Sequence, residues 1–201
     1  MEIEAKVILT SDEQVEEVKK LIKTKFSINS GYPHESFDSY WWINEKTVRI
    51  RRSVEYGDGS LRMSAHWITV KNKTRKNGVE INEENECSVS SDFLIEVMFP
   101  LLSEANKKAL FTKNKRYTQF GYLEPAEKRF YKIDCGYAWA KDFGDRVPYV
   151  EIETITENNE SPEAVVNCSQ MVRKIFKTLG IDDLVTDKPW TEILGDTDGI
   201  I

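Results

Sequence analysis

The chain has 201 residues, 40% of them hydrophobic, enough to bury a substantial core, and a formal net charge of −6 with a pI near 5.2. That acidic balance excludes a general nucleic-acid or membrane-surface binder, whose electrostatic footprint is basic. Three cysteines without CxxC or His-rich spacing indicate neither a disulfide framework nor a zinc site. No apolar run approaches ~18 residues, and the start is acidic where a signal peptide is basic. A cytoplasmic, unprocessed protein is expected, without membrane contact, as a monomer or homodimer.

The chain opens on a strand, Met1 to Val7, in which Glu2, Glu4 and Lys6 share one face and Ile3, Ala5 and Val7 the other. Thr10 to Gln14 offer capping side chains for a helix running to about Lys25, with Val15, Val18, Leu21 and Ile22 at helical spacing. Phe26 to His34 reads as a loop, and an aromatic-rich strand starts at Phe37. In Val48 to Arg52, Arg49 and Arg51 share a face. Gly57-Asp58-Gly59 signals a hairpin into a strand from Arg62 to Lys71, where Thr69 and Lys71 share a face. Asn72 to Gly78 is a polar turn. In Val79 to Val89, Glu80, Asn82, Glu84 and Glu86 fall together.

Ser90 to Asp92 can cap a second helix, with Phe93, Leu94, Val97, Met98, Leu101 and Leu102 as its apolar side and an interruption at Pro100. A basic strand follows at Phe111 to Tyr117, with Lys113 and Lys115 on one face. Two more strands lie near Phe130 to Gly136, which includes Asp134, and Val147 to Thr156, where Glu151 and Glu153 share a face. Ser161-Pro162-Glu163 starts a helix whose inward residues include Val165, Val166, Met171, Val172, Ile175, Phe176 and Leu179, ended by Gly180. Asp187 to Leu194 reads as a short closing helix. Residues 1–201 form one domain, with about 195–201 a loose tail.

Most strands thus carry a charged row opposite an apolar row, and the sign of the charge alternates along the chain. Rows of both signs converge only if the antiparallel sheet curls with its polar face inside and its helices outside. The expected fold is α+β: a closed or nearly closed eight-stranded antiparallel barrel, a tunnel with a charged interior. A polyphosphate suits such a tunnel, because Arg and Lys hold phosphate oxygens while a divalent ion bridges them to carboxylates.

The pattern resembles the CYTH superfamily, the triphosphate tunnel metalloenzymes, which includes class IV adenylate cyclases, thiamine triphosphatases and inorganic triphosphatases. Glu2-Ile3-Glu4-Ala5-Lys6 is similar to its E-x-E-x-K signature and Val48-Arg49-Ile50-Arg51 to L-R-I-R, preceded by Asp38-Ser39-Tyr40-Trp41 in place of D-x-Y-Y. Ile68-Thr69-Val70-Lys71 looks like L-T-x-K, Lys113-Asn114-Lys115-Arg116 like K-x-R, Ile133-Asp134 like L-D and Val150-Glu151-Ile152-Glu153 like V-E-I-E. Lys188 to Leu194 resembles K-S-Y-x-E-L-L. Two positions depart: Asn82 stands where the family has an arginine, and Phe130 where many members have another, for which Lys132 has the right parity to substitute.

The resemblance implies a metal-dependent triphosphatase, with Glu2, Glu4, Lys6 and Lys71 as catalytic residues. Lys6, Arg49, Arg51, Lys71, Lys113, Lys115, Arg116, Lys132 and Lys188 would bind phosphate oxygens. Glu2, Glu4, Glu151 and Glu153 would hold Mg2+ or Mn2+, with Glu84, Glu86 and Asp134 assisting. Substrates would be inorganic triphosphate, a nucleoside triphosphate or an RNA 5′ end. Cyclisation of ATP to cyclic AMP and non-catalytic binding of a phosphorylated nucleotide or polyphosphate are the alternatives. His34 and His66 are read as surface or packing residues. Tyr40, Trp41, Trp42 and Trp67 are aromatic candidates for stacking a base at the mouth, although core packing is the commoner role of such strand residues.

Overall fold

The computed structural model describes residues 1–43, 46–57, 60–76, 78–106, 111–140, 145–157 and 160–195. The hairpin tip at Asp58-Gly59, Lys107-Lys108 and the tail at 196–201 lie outside the described residues, as do the side chains of Trp42, Lys73, Arg75 and Lys76.

Eight strands close an antiparallel barrel. They are β1 (Glu2–Ile8), β2 (Tyr32–Ile43), β3 (Lys46–Gly57), β4 (Ser60–Lys76), β5 (Val79–Val89), β6 (Phe111–Glu124), β7 (Arg129–Ala140) and β8 (Val147–Ile155). Their order is β5-β4-β3-β2-β6-β7-β8-β1, and β1 pairs back onto β5 through Glu2↔Asn82 and Glu4↔Glu80. Closure removes the exposed edges an open sheet would carry. A two-residue strand that the sequence does not announce, β9 (Val185–Thr186), pairs with Lys6 and Val7 where β5 leaves the edge of β1.

The alternation along each strand is what turns charge inward. Ile3, Ala5 and Val7 of β1, with Ile133, Val150 and Ile152, form an exterior core against α1 (Asp12–Lys25) and α4 (Pro162–Thr178), which supply Val15, Val18, Ile22, Val172, Ile175 and Phe176. These residues are essentially solvent-free, and each Val, Ile and Phe side chain among them contributes about 1.5–3 kcal/mol by burial. Ser11 caps α1, accepting from the Gln14 amide, and Ser161 caps α4, accepting from the Ala164 amide, as their positions predict. Val166, expected to face inward, is instead 50% exposed, because it lies off the apolar stripe of α4.

The middle helical stretch runs through α2 (Ser91–Phe93), one π-helical turn (Leu94–Met98) and α3 (Phe99–Asn106). The expected interruption at Pro100 takes this form because proline is tolerated in a first helical turn, and the wider turn ends two residues before it, at Met98. Leu94, Met98 and Leu102 pack on Trp41 and Ile50 outside the barrel, whereas Phe93, Val97 and Leu101 face solvent.

One end of the barrel is apolar inside. Phe111, Ala138, Ala140 and Tyr149 pack with Leu194, joined by Ile8, Tyr40, Val147, Trp190 and Ile193. The short helix α5 (Trp190–Ile193) therefore sits against that end, as the closing helix read from the sequence.

Candidate active site

The interior gathers residues from all eight strands. Lys6, Asp38, Arg49, Lys71, Asn82, Lys113, Lys115, Asp134 and Glu151 are all less than a tenth exposed. Ionised groups so buried persist only when paired, and most are. Lys71 Nζ donates to Glu2 Oε2 at 3.0 Å and also pairs with Glu84. Asn82 Nδ2 donates to the same Glu2 oxygen at 3.0 Å. Arg49 donates to Thr69 Oγ1 at 3.0 Å and Glu86 Oε2 at 3.2 Å, and the Thr69 hydroxyl donates to Glu86 at 2.8 Å. Arg51 grips Asp38 with two bonds of 2.7 and 2.8 Å, and Tyr40 donates to Asp38 at 3.0 Å.

At the α5 end the cations have fewer partners. The rings of Trp190 and its neighbours supply contact instead: Lys6, Lys113 and Lys115 ammonium groups lie 5.8, 5.3 and 5.2 Å from the Trp190 ring centroid. Lys115 pairs with Glu151, whose other oxygen accepts from Trp190 Nε1 at 3.3 Å. Lys113 is 3.5 Å from Asp38. Burial and the adjacent Lys115 push the Lys113 amine well below its usual range. A bound polyanion would supply the charge these lysines lack.

The acidic half has the opposite deficit. One oxygen each of Glu2, Glu4 and Glu153 lies within 4.8 Å of the others. Burial, then Glu2, Glu151 and Glu80, push the Glu4 carboxyl up to about 8. Glu84 is pushed up to about 7 by burial and by Glu2, and Asp134 to about 7 by burial, Glu153 and Glu151. Burial would also raise Glu151, but Lys115, Lys113 and Lys6 outweigh it and hold the group down at about 2. Glu2 is held low against its burial by Lys71.

These residues fit a divalent cation. Three hard oxygen donors converge, and the repulsion of Glu4 from Glu2, Glu151 and Glu80 outweighs the attraction of Lys71. Ser36 Oγ, Arg49 Nε and Asn82 Oδ1, all on inward-facing positions, are buried without a hydrogen-bond partner, as the wall of a polar ligand site would be.

Most expected site residues meet here, with qualifications. Glu151 is engaged by Lys115 and Trp190 and does not join the Glu2, Glu4 and Glu153 trio. Glu84 and Glu86 are tied to Lys71 and Arg49, and Asp134 accepts from Gln119 at 3.1 Å. Lys132, the proposed stand-in at the Phe130 position, points inward and binds Glu153 at 2.6 Å. Two residues do not join. Arg116 has the wrong strand parity: its side chain is 71% exposed and pairs with Glu35 at 2.6 Å. Lys188, in the connection before α5, is 61% exposed and pairs with Glu192.

Asp38, Thr69 and Trp190 belong to the interior, although their residue types alone assigned them no role. Parity with Tyr40 marks Asp38 and parity with Lys71 marks Thr69, but the place of Trp190 depends on how α5 packs. Of the aromatic candidates, Trp41 is in the exterior core, Tyr40 lines the α5 end and Trp67 faces inward at the other end. His34, also facing inward there, stacks on Tyr117 with centroids 5.5 Å apart.

No family model and no curated protein matches the chain. Solved structures do. The PH1819 protein of Pyrococcus horikoshii OT3 is similar with a TM-score of 0.69 at 17% identity, over 98% of this chain and 99% of that one. HpAC1 from Hippeastrum, described as an adenylyl cyclase candidate with a dominant triphosphatase activity, gives 0.53 at 15% identity, over 98% and 96%. The Mimivirus capping enzyme triphosphatase gives 0.52 at 12% identity, over 90% and 89%. Likeness at such low identity establishes the architecture, so the chain has the tunnel fold that the CYTH resemblance implies.

Proposed function

We propose that the protein is a metal-dependent triphosphate hydrolase. The observation that carries this reading is the convergence of the Glu2, Glu4 and Glu153 carboxylates inside a barrel that also buries Lys6, Arg49, Lys71, Lys113 and Lys115. Two solved neighbours described as having triphosphatase activity, from Hippeastrum and Mimivirus, support it.

Glu2, Glu4 and Glu153 would hold the cation, Mg2+ or Mn2+, which neutralises phosphate charge and orients the reacting oxygens. The protein's own part is positioning and electrostatics. Lys71 and Arg49, already aimed at the interior, exchange their glutamate partners for phosphate oxygens. Lys6, Lys113 and Lys115 meet the phosphates nearest α5, where the scarcity of partners for Lys6 and Lys113 leaves them free to bind. Burial in a water-poor interior strengthens each of these contacts.

The test is product analysis with ATP and tripolyphosphate, each with Mg2+ and with Mn2+. Hydrolysis releases orthophosphate. Cyclic AMP with pyrophosphate would identify a cyclase, and ligand-induced stabilisation without product a binder; either replaces the hydrolase reading.

A further inference from the structure

The inward face of the sheet continues past the charged residues at the end of the barrel away from α5. After Glu153 the next inward position on β8 is Ile155, after Lys132 on β7 it is Phe130, and after Gln119 on β6 come Gly121 and Leu123. Ile155 is 65% exposed, Leu123 59% and Phe130 53%. They are neighbours. Phe130 sits opposite Leu123 in the β6–β7 ladder, and Thr154 beside Ile155 donates its hydroxyl to the Phe130 carbonyl at 2.8 Å.

Gly121 makes the arrangement specific. A Cβ at that position would stand 2.7 Å from the tip of the Phe130 ring, so only a glycine leaves room for this half-exposed ring. The outer faces of the same strands are covered, Tyr131 and Ile152 being fully buried. Large apolar groups left bare on the inner face, continuous with a charged tunnel, form a platform for something that arrives with the anion. Inward-facing residues on one strand are about 6.5 Å apart, so a triphosphate held near Glu153 brings its esterified group to the level of Ile155 and Phe130. His34, stacked on Tyr117, and Trp67 supply further rings at the same end.

We propose that Phe130, Ile155 and Leu123 hold the base of a nucleoside 5′-triphosphate, so that the substrate is a mononucleotide in preference to inorganic triphosphate. The proposal rests on the hydrolase reading for turnover, but the platform itself is a binding claim. Inorganic triphosphate has no group to place on it, whereas a base stacks on any aromatic face, and removing such a ring weakens binding about tenfold or more.

The experiment compares ATP with tripolyphosphate in wild type, Phe130→Ser and Ile155→Ser. It measures kcat/KM with Mg2+ and Mn2+, and calorimetric Kd with a non-hydrolysable ATP analogue and with tripolyphosphate. A wild type that prefers ATP, with the preference falling about tenfold in each variant, supports the proposal. A preference that is kept, or an equal loss for both ligands, overturns it. So does a change of oligomeric state by light scattering with the preference intact, which would make the platform a self-association face. Tighter binding of the analogue, lost in Phe130→Ser but without turnover of either ligand in wild type, upholds the platform and overturns the hydrolase reading. Failure of both ligands to bind overturns both.

Discussion

Lys71 of β4 reaches past β5 to place its ammonium 3.0 Å from the Glu2 carboxylate of β1, 69 residues away in sequence. Only a closed barrel with both strands' charged rows inside permits that contact. Truncating the lysine leaves Glu2 and Glu84 facing one another without their shared cation. Lys71→Met, which keeps the stem, is expected to lower kcat with ATP at least a hundredfold while far-ultraviolet circular dichroism stays native. Wild-type turnover in this variant would remove Lys71 from the site.

Glu4 separates metal binding from stability. Its carboxyl faces other carboxylates, so Glu4→Gln removes repulsion as well as a ligand. The metal-free variant should melt at the same temperature as wild type or a few degrees higher. It should also lose the Mn2+-induced rise in Tm and at least a hundredfold in kcat. A lower Tm for the metal-free variant would contradict this assignment.

The same group sets a pH dependence. With its value raised from 4.5 to about 8, Glu4 contributes stability that is complete below pH 4.5 and lost as pH rises towards 8. Glu84 and Asp134, both raised to about 7, act in the same direction. The Tm of the metal-free protein should therefore fall between pH 5 and pH 8. A cation requires the ionised form, so below pH 8 its binding expels a proton and its affinity should rise up to tenfold per pH unit from 6 to 8. Calorimetry in buffers of different ionisation enthalpy reads that proton directly.

Asp38 holds Arg51 with both carboxylate oxygens and also meets Tyr40 and Lys113. Asp38→Asn strands a largely buried guanidinium and is expected to cost about 3 kcal/mol in urea unfolding. A change below about 1 kcal/mol would mean the pair is solvated in solution.

Arg116 provides the opposite case. Its pair with Glu35 lies outside the barrel, where exposed ion pairs contribute about 0–1 kcal/mol. Arg116→Ala should keep kcat and KM within about twofold of wild type, and a tenfold rise in KM would return this residue to the phosphate site.

Local sequence determined a large part of this protein. The two-residue period makes Glu2, Glu4 and Lys6, or Arg49 and Arg51, share a face whatever the tertiary structure, and capping serines with apolar spacing are sufficient to start α1 and α4. Parity also separates Lys115 from Arg116, because adjacent residues on a strand cannot point to the same side. Which side is the inside is not a local property. It was decided by closure of β1 onto β5 and by helices covering Ile3, Ile133 and Ile152. Pairing choices were likewise undetermined in one dimension: charge patterning brings Glu151 to the interior, but the register and the docking of α5 deliver it to Lys115 and Trp190 and leave Glu2, Glu4 and Glu153 as the converging trio. The physical reason is that alternation is fixed by backbone geometry within one strand, whereas the partner of a buried charge depends on which distant strand the hydrogen-bond ladder sets opposite it.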